Sequence, residues 1–184
     1  LTTLIRQRRD LLKAFIPQLS QLLGTLTSLL RVPHAQLGGA QQRLVAEAFP
    51  SWLNPFEQSL GEADARALAR LLTSITARTQ TLALRSRKRS REGDAIDRTD
   101  FLSKPFARHA MHVMVAYVRA LIASPYMFIP NNVQRALEPG LFALCDITSG
   151  HDRDAALVGL LDPAGRTLMK RIWSNWEAQR YKGQ

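Results

Sequence analysis

Apolar residues recur at three- and four-residue steps from the start of the chain: Leu4, Ile5, Leu11, Leu12, Phe15, Ile16, Leu19, Leu22, Leu23, Leu26, Leu29 and Leu30. This is the stripe of an amphipathic helix. Pro17 interrupts it, and an interior proline removes one ladder bond and presses on the preceding turn. The pattern predicts one long kinked helix over 1–33, ended by Val32-Pro33. Over 34–61 the spacing loosens around Gly38-Gly39, Pro50 and Pro55, which predicts an irregular connection with a few helical turns from Ala40 to Phe49. A clear helix follows over 62–84. Leu68, Leu71, Leu72, Ile75 and Leu82 share its face, and Glu62 and Asp64 suit its positive end.

A polar link over 85–103 separates that helix from the next, for which Ser103 is the expected N-cap with Pro105 in the first turn. Phe106, Ala110, Val113, Met114, Tyr117 and Leu121 then form one stripe, ended by Ser124-Pro125. Pro130 to Leu137 predicts a short helix, and Pro139-Gly140 a tight corner opening another. The run Leu141 to Cys145 is apolar on nearly every side and is expected to be enclosed, with 104–124 and 163–181 as its walls. Asp152 or Asp154 is expected to cap a helix through Leu161. Asp162-Pro163 reads as an N-cap followed by proline at the first helical position, and Leu168, Ile172 and Trp176 as the seam of the last helix. No strand alternation persists. The fold class is all-α, with stacked antiparallel helices in a solenoid-like arrangement of the HEAT or armadillo type, though no repeat period is visible.

With 184 residues, 46% hydrophobic, the chain can bury one substantial core. It starts at Leu1, already amphipathic, and reads as one domain cut from a longer chain. No apolar run approaches the roughly 20 residues of a membrane span, and the first residues lack signal-peptide order, so the chain reads as soluble and unsecreted. The single cysteine, Cys145, permits no internal disulfide and has the surroundings of a small core residue.

Charge changes the picture more. Lys and Arg number 25 against 15 Asp and Glu, a net +10, which turns attention to polyanions. Arg85, Arg87, Lys88, Arg89 and Arg91 crowd into seven residues, and Arg166, Lys170, Arg171, Arg180 and Lys182 lie against only Glu177 near the C-terminus. The first cluster has three open readings: an RNA contact, a nuclear import signal, or a solvated loop kept apart by its own repulsion.

Candidate chemistry is sparse. His109 and His112 can share one helix face, but zinc needs further ligands and no spacing supplies them. Asp94, Asp97 and Asp100 fall in the polar link, without the rigid support a magnesium site needs. There is no phosphate-binding glycine loop and no nucleophile motif. We expect no metal, no cofactor and no catalysis. His109, Tyr117 and Asp146 are candidates for structural polar bonds, Asp146 needing a donor from a basic side chain or a helix N-terminus.

These residues carry a resemblance. Lys104 with Arg108-His109-Ala110, Val113-Met114 and Tyr117 come first; Leu137, Pro139-Gly140-Leu141-Phe142-Ala143-Leu144 and Asp146 follow. Leu161-Asp162, Gly165-Arg166, Leu168-Met169-Lys170 and Tyr181-Lys182-Gly183 complete the set. In order and spacing they resemble the C-terminal domain of the nucleolar pre-rRNA processing proteins of the unhealthy-ribosome-biogenesis type, second member. The likeness covers Lys104 to Gly183, with weaker support from Arg6 to Leu30. Trp173 and Trp176 stand where tyrosines are expected, and 34–60 has no counterpart. The resemblance implies a large helical scaffold acting in the nucleolus on early pre-ribosomal particles of the large subunit. It also implies the company of a large helical-repeat protein, a DEAD-box RNA helicase, small assembly factors and pre-rRNA. An adaptor that binds proteins alone, in a groove between helices, is the alternative.

Overall fold

The computed structural model describes residues 12–77 and 102–182, and Arg85 to Arg91 lie outside them. Seven α-helices fill the described residues: α1 Ile16–Leu29, α2 Gly39–Glu47, α3 Glu62–Thr76, α4 Ser103–Ile122, α5 Asn131–Ile147, α6 Gly150–Gly159 and α7 Pro163–Lys182. The chain is an all-α stack. Two-residue strands, β1 Val32–Pro33 and β2 Met127–Phe128, pair antiparallel with Val32 opposite Phe128. Strands this short leave no alternation to detect.

Several boundaries differ from the sequence expectation, each for a local reason. A 3-10 turn, Lys13–Phe15, precedes α1, and Pro17 occupies the first turn of α1; residues 1–11 of the expected kinked helix lie outside the described residues. The missing N–H of Pro17 has no ladder partner there. The N-cap of α4 is Leu102, not Ser103; the first ladder bond runs from Phe106 N to Leu102 O at 2.9 Å, so Pro105 stands just ahead of any obligation to donate. Ser149, not Asp152 or Asp154, caps α6. Its Oγ accepts from the Asp152 N–H at 3.1 Å and donates to Asp152 Oδ2 at 2.7 Å, a reciprocal cap. Asp162 does cap α7 as expected, its Oδ1 accepting from Gly165 N at 2.8 Å.

The largest correction concerns Pro139-Gly140. The pair makes no corner and lies inside the continuous helix α5. Pro139 is on the exposed side, where only the Arg135 carbonyl loses a donor and water can replace it. Gly140 is buried against α3: a Cβ there would stand 2.7 Å from Ala69 Cα and 3.0 Å from Leu72 Cδ1. The glycine thus serves a close helix crossing, not a turn. Nor is α5 enclosed all round. Val133, Leu137, Gly140, Leu141, Leu144 and Cys145 are buried, while Asn132, Arg135, Pro139 and Asp146 are exposed.

The principal wall of α5 is α3, with α4 and α7 completing its surroundings, and α1 lies along α4. The helix touched by most others is α4, which packs on α1, α3, α5, α6 and α7. Its Phe106, Ala110, Val113, Met114 and Val118 are wholly buried. Each large side chain so buried contributes roughly 1.5–3 kcal/mol. Within 34–61, α2 lies where helical turns are expected, and Val45, Phe49 and Leu53 join Leu29 and Met127 in a small second core.

Candidate functional site

The C-terminal basic residues do not form one patch. On a helix advancing about 100° per residue, Lys170 and Arg171 point a quarter-turn apart. The Arg166 guanidinium is already engaged, Nε donating to Leu161 O at 3.0 Å and Nη2 to Val158 O at 3.3 Å. Arg119 Nη2 donates to Leu160 O at 2.8 Å. Together they satisfy carbonyls at and just beyond the end of α6, where the helix dipole favours cations. Arg180 lies over the Trp176 ring at 5.2 Å from its centroid, and Arg153 over Trp173 at 5.6 Å. The two indoles meet edge to face at 5.2 Å. Lys182 ends α7, and its side chain is outside the described residues.

The polar family residues have definite places. Asp146 accepts from Trp176 Nε1 at 3.0 Å, so its donor is an indole, neither a basic side chain nor a helix end. His109 is half-buried and His112 exposed, with ring centroids 5.9 Å apart, beside a groove of about 620 Å³ against α1. Among the described residues, no group of three His, Cys, Asp or Glu is placed to hold a metal ion. Gly165 gives room for the α7 cap: a Cβ there would stand 2.8 Å from Asp162 Oδ1. Cys145 is buried in the core, as expected, and its thiol is pushed up to about 12 by burial first and Asp146 second.

Tyr117 leads to a feature not foreseen. Its ring is buried in α4, and it lines a cavity of about 340 Å³ between α4, α5 and α7. Burial, and then the Glu138 carboxylate, push its hydroxyl up to about 12. Arg135 and Glu138 from α5 and Arg171 from α7 line the same cavity, with Asn131, Gln134 and Asn175. Arg135 and Arg171 are exposed and have no ion pair or hydrogen bond among the described residues. The signal was present in the sequence, since Asn131, Gln134, Arg135 and Glu138 follow three- and four-residue steps on the polar side of α5. It was hidden by the assumption of a corner at Pro139.

A second opening is apolar. Leu26, Leu30, Trp52, Leu60, Leu68 and Leu71 line a groove of about 340 Å³ between α1, the 50–60 loop and α3. Trp52 is 71% exposed at its edge.

Fold and surface together define a stacked helical domain with a cationic exterior and a polar cavity. The chain belongs to the Urb2/Npa2 family, whose model matches residues 1–184. This is a family of ribosome-biogenesis factors and is not known for catalysis. No match is found among curated proteins or among solved structures.

Proposed function

We propose that the domain is a non-catalytic nucleolar scaffold in early assembly of the large ribosomal subunit, acting in pre-rRNA processing through contacts with protein and pre-rRNA. One observation carries this reading beyond the family: basic residues outnumber acidic ones 25 to 15, and several acidic groups are already used within the fold. Asp64, Asp152 and Asp162 serve helix starts, and Glu62 pairs with Arg66. Arg43, Arg70, Arg108, Arg135, Lys170 and Arg171 have no such partner among the described residues. Free cations of this kind neutralise phosphates and release counterions, giving salt-sensitive binding with little sequence choice. The expected partners are a large helical-repeat protein, a DEAD-box helicase and small assembly factors.

The test replaces Arg85, Arg87, Lys88, Arg89 and Arg91 by serine. Helical circular dichroism is expected to persist while RNA retention at moderate salt falls. Unchanged retention would move RNA binding to Arg135, Lys170 and Arg171, and an absence of RNA retention in the parent chain would overturn the RNA part of the reading. The adaptor alternative is favoured by the groove beside Trp52. Partner capture through that groove would survive high salt, whereas phosphate contacts fade with screening.

A further inference from the structure

We propose that the cavity between α4, α5 and α7 receives one unpaired RNA nucleotide, its phosphate against Arg135 and Arg171 and the amino group of its base toward Glu138. The inference rests on the RNA-contact reading above and names where that contact acquires base selectivity.

Three chemistries converge on this cavity. Two guanidinium groups without a partner among the described residues, one on α5 and one on α7, offer an anion forked hydrogen bonds. Glu138, half-buried and lining the same cavity, offers an acceptor. Phe142, Leu168 and Ile172, each half-buried, give the cavity an apolar side on which a flat ring can rest. An acidic peptide side chain would satisfy the arginines and leave Glu138 without a donor. A lysine would do the reverse. A nucleotide uses all three, because it joins a phosphate, a planar ring and a donor edge in one unit. Tyr117 stays protonated far above neutral pH, so its hydroxyl remains a donor and adds no negative charge beside the phosphate. The volume of about 340 Å³ lies at the lower end of small-ligand pockets, in keeping with a single residue of RNA.

The base preference follows from Glu138. Cytosine carries an amino group where uracil carries a carbonyl oxygen, and a carboxylate accepts from the first and repels the second. The experiment measures fluorescence anisotropy of short labelled single-stranded oligo(rC) and oligo(rU) with the intact chain. Oligo(rC) is expected to bind about tenfold more tightly, the scale of one discriminating base contact. Glu138→Met should abolish that preference. Arg135→Gln combined with Arg171→Gln should weaken both oligomers by about tenfold. All three side chains face solvent or the cavity, and circular dichroism verifies that the variants fold. Equal binding of the two oligomers, or a preference that survives Glu138→Met, would overturn the nucleotide pocket while leaving salt-sensitive RNA contact standing. Binding of neither oligomer at low salt would overturn both. Pocket variants that keep RNA affinity but lose a protein partner would assign the cavity to that partner and reject the nucleotide.

Discussion

A methyl group at Gly140 would meet backbone as well as a side-chain end: Ala69 Cα at 2.7 Å and Ala69 O at 3.2 Å, with Leu72 Cδ1 at 3.0 Å. Two effects of Gly140→Ala oppose each other. Alanine favours the helix by roughly 0.5–1 kcal/mol, whereas overpacking costs roughly 1–3 kcal/mol. Since α3 cannot yield without moving its backbone, we expect net destabilisation, read as a lower urea midpoint. A raised midpoint would mean that the crossing is looser than described. The two tryptophans differ likewise. The Trp176 indole N–H has Asp146, while that of Trp173 is buried with no partner among the described residues. We expect Trp176→Phe to cost about 0.5–1.5 kcal/mol. For Trp173→Phe the loss of an unsatisfied donor should offset much of the lost packing. Equal losses in the two variants would remove the distinction. That Asp146 needs a donor was legible beforehand, but neither the donor nor the close crossing at Gly140 was, because residue spacing does not report which helices cross or at what distance.

The sign of a pH effect also belongs to single residues. Cys145 rises from 9.0 and Tyr117 from 10.0, both to about 12. In each case the folded chain keeps a proton that the unfolded chain loses, so unfolding releases protons and stability falls as pH rises. The contribution is complete below about pH 9 and declines from there to about pH 12. Urea midpoints measured across that window should drop less steeply in Cys145→Ser, which keeps the approximate size but has no thiol to ionise. An unchanged slope would assign the alkaline loss to other groups.

Among elements, those with a complete local code were readable and those set by a distant neighbour were not. Asp162-Pro163 contains its own instructions: a side chain to accept from the free N–H groups and a ring suited to the first turn. Asp162→Ala should therefore destabilise the chain by about 0.5–2 kcal/mol in chemical denaturation. A smaller effect would show that Pro163 suffices to start α7. Pro139-Gly140 carries the same residue types with the opposite outcome, because the packing of α5 on α3 overrides a local preference to break. Helix α6 shows a third case. Its start is local, at Ser149, but its end is held by Arg119 and Arg166, and Arg119 lies 41 residues from the carbonyl it reaches. The basic residues of α7 looked like a surface for polyanions, and one of them instead closes a helix.

At the scale of the whole molecule, the all-α class was legible because apolar periodicity survives along every long segment. The centre was not. It is α4, whose neighbours come from both ends of the chain, and not the apolar stretch after Pro139. That distribution predicts an order of opening. Helices α2 and α6 each have a single buried residue, Val45 and Ala156, while α4 has ten. Local opening is cheapest where few apolar contacts must part. In hydrogen exchange, amides of α2 and α6 should exchange first, and those of α4 should exchange only through global unfolding. Met114→Ala, at a wholly buried site of α4, should lower global stability by about 2–5 kcal/mol and accelerate the slowest amides. Val158→Ala, on the exposed side of α6, should leave those amides within about 0.5 kcal/mol of the parent. If instead α5 outlasted α4 in exchange, the stack would be organised around the α3 and α5 pair, and the cavity at Tyr117 would sit between a stable layer and a labile one.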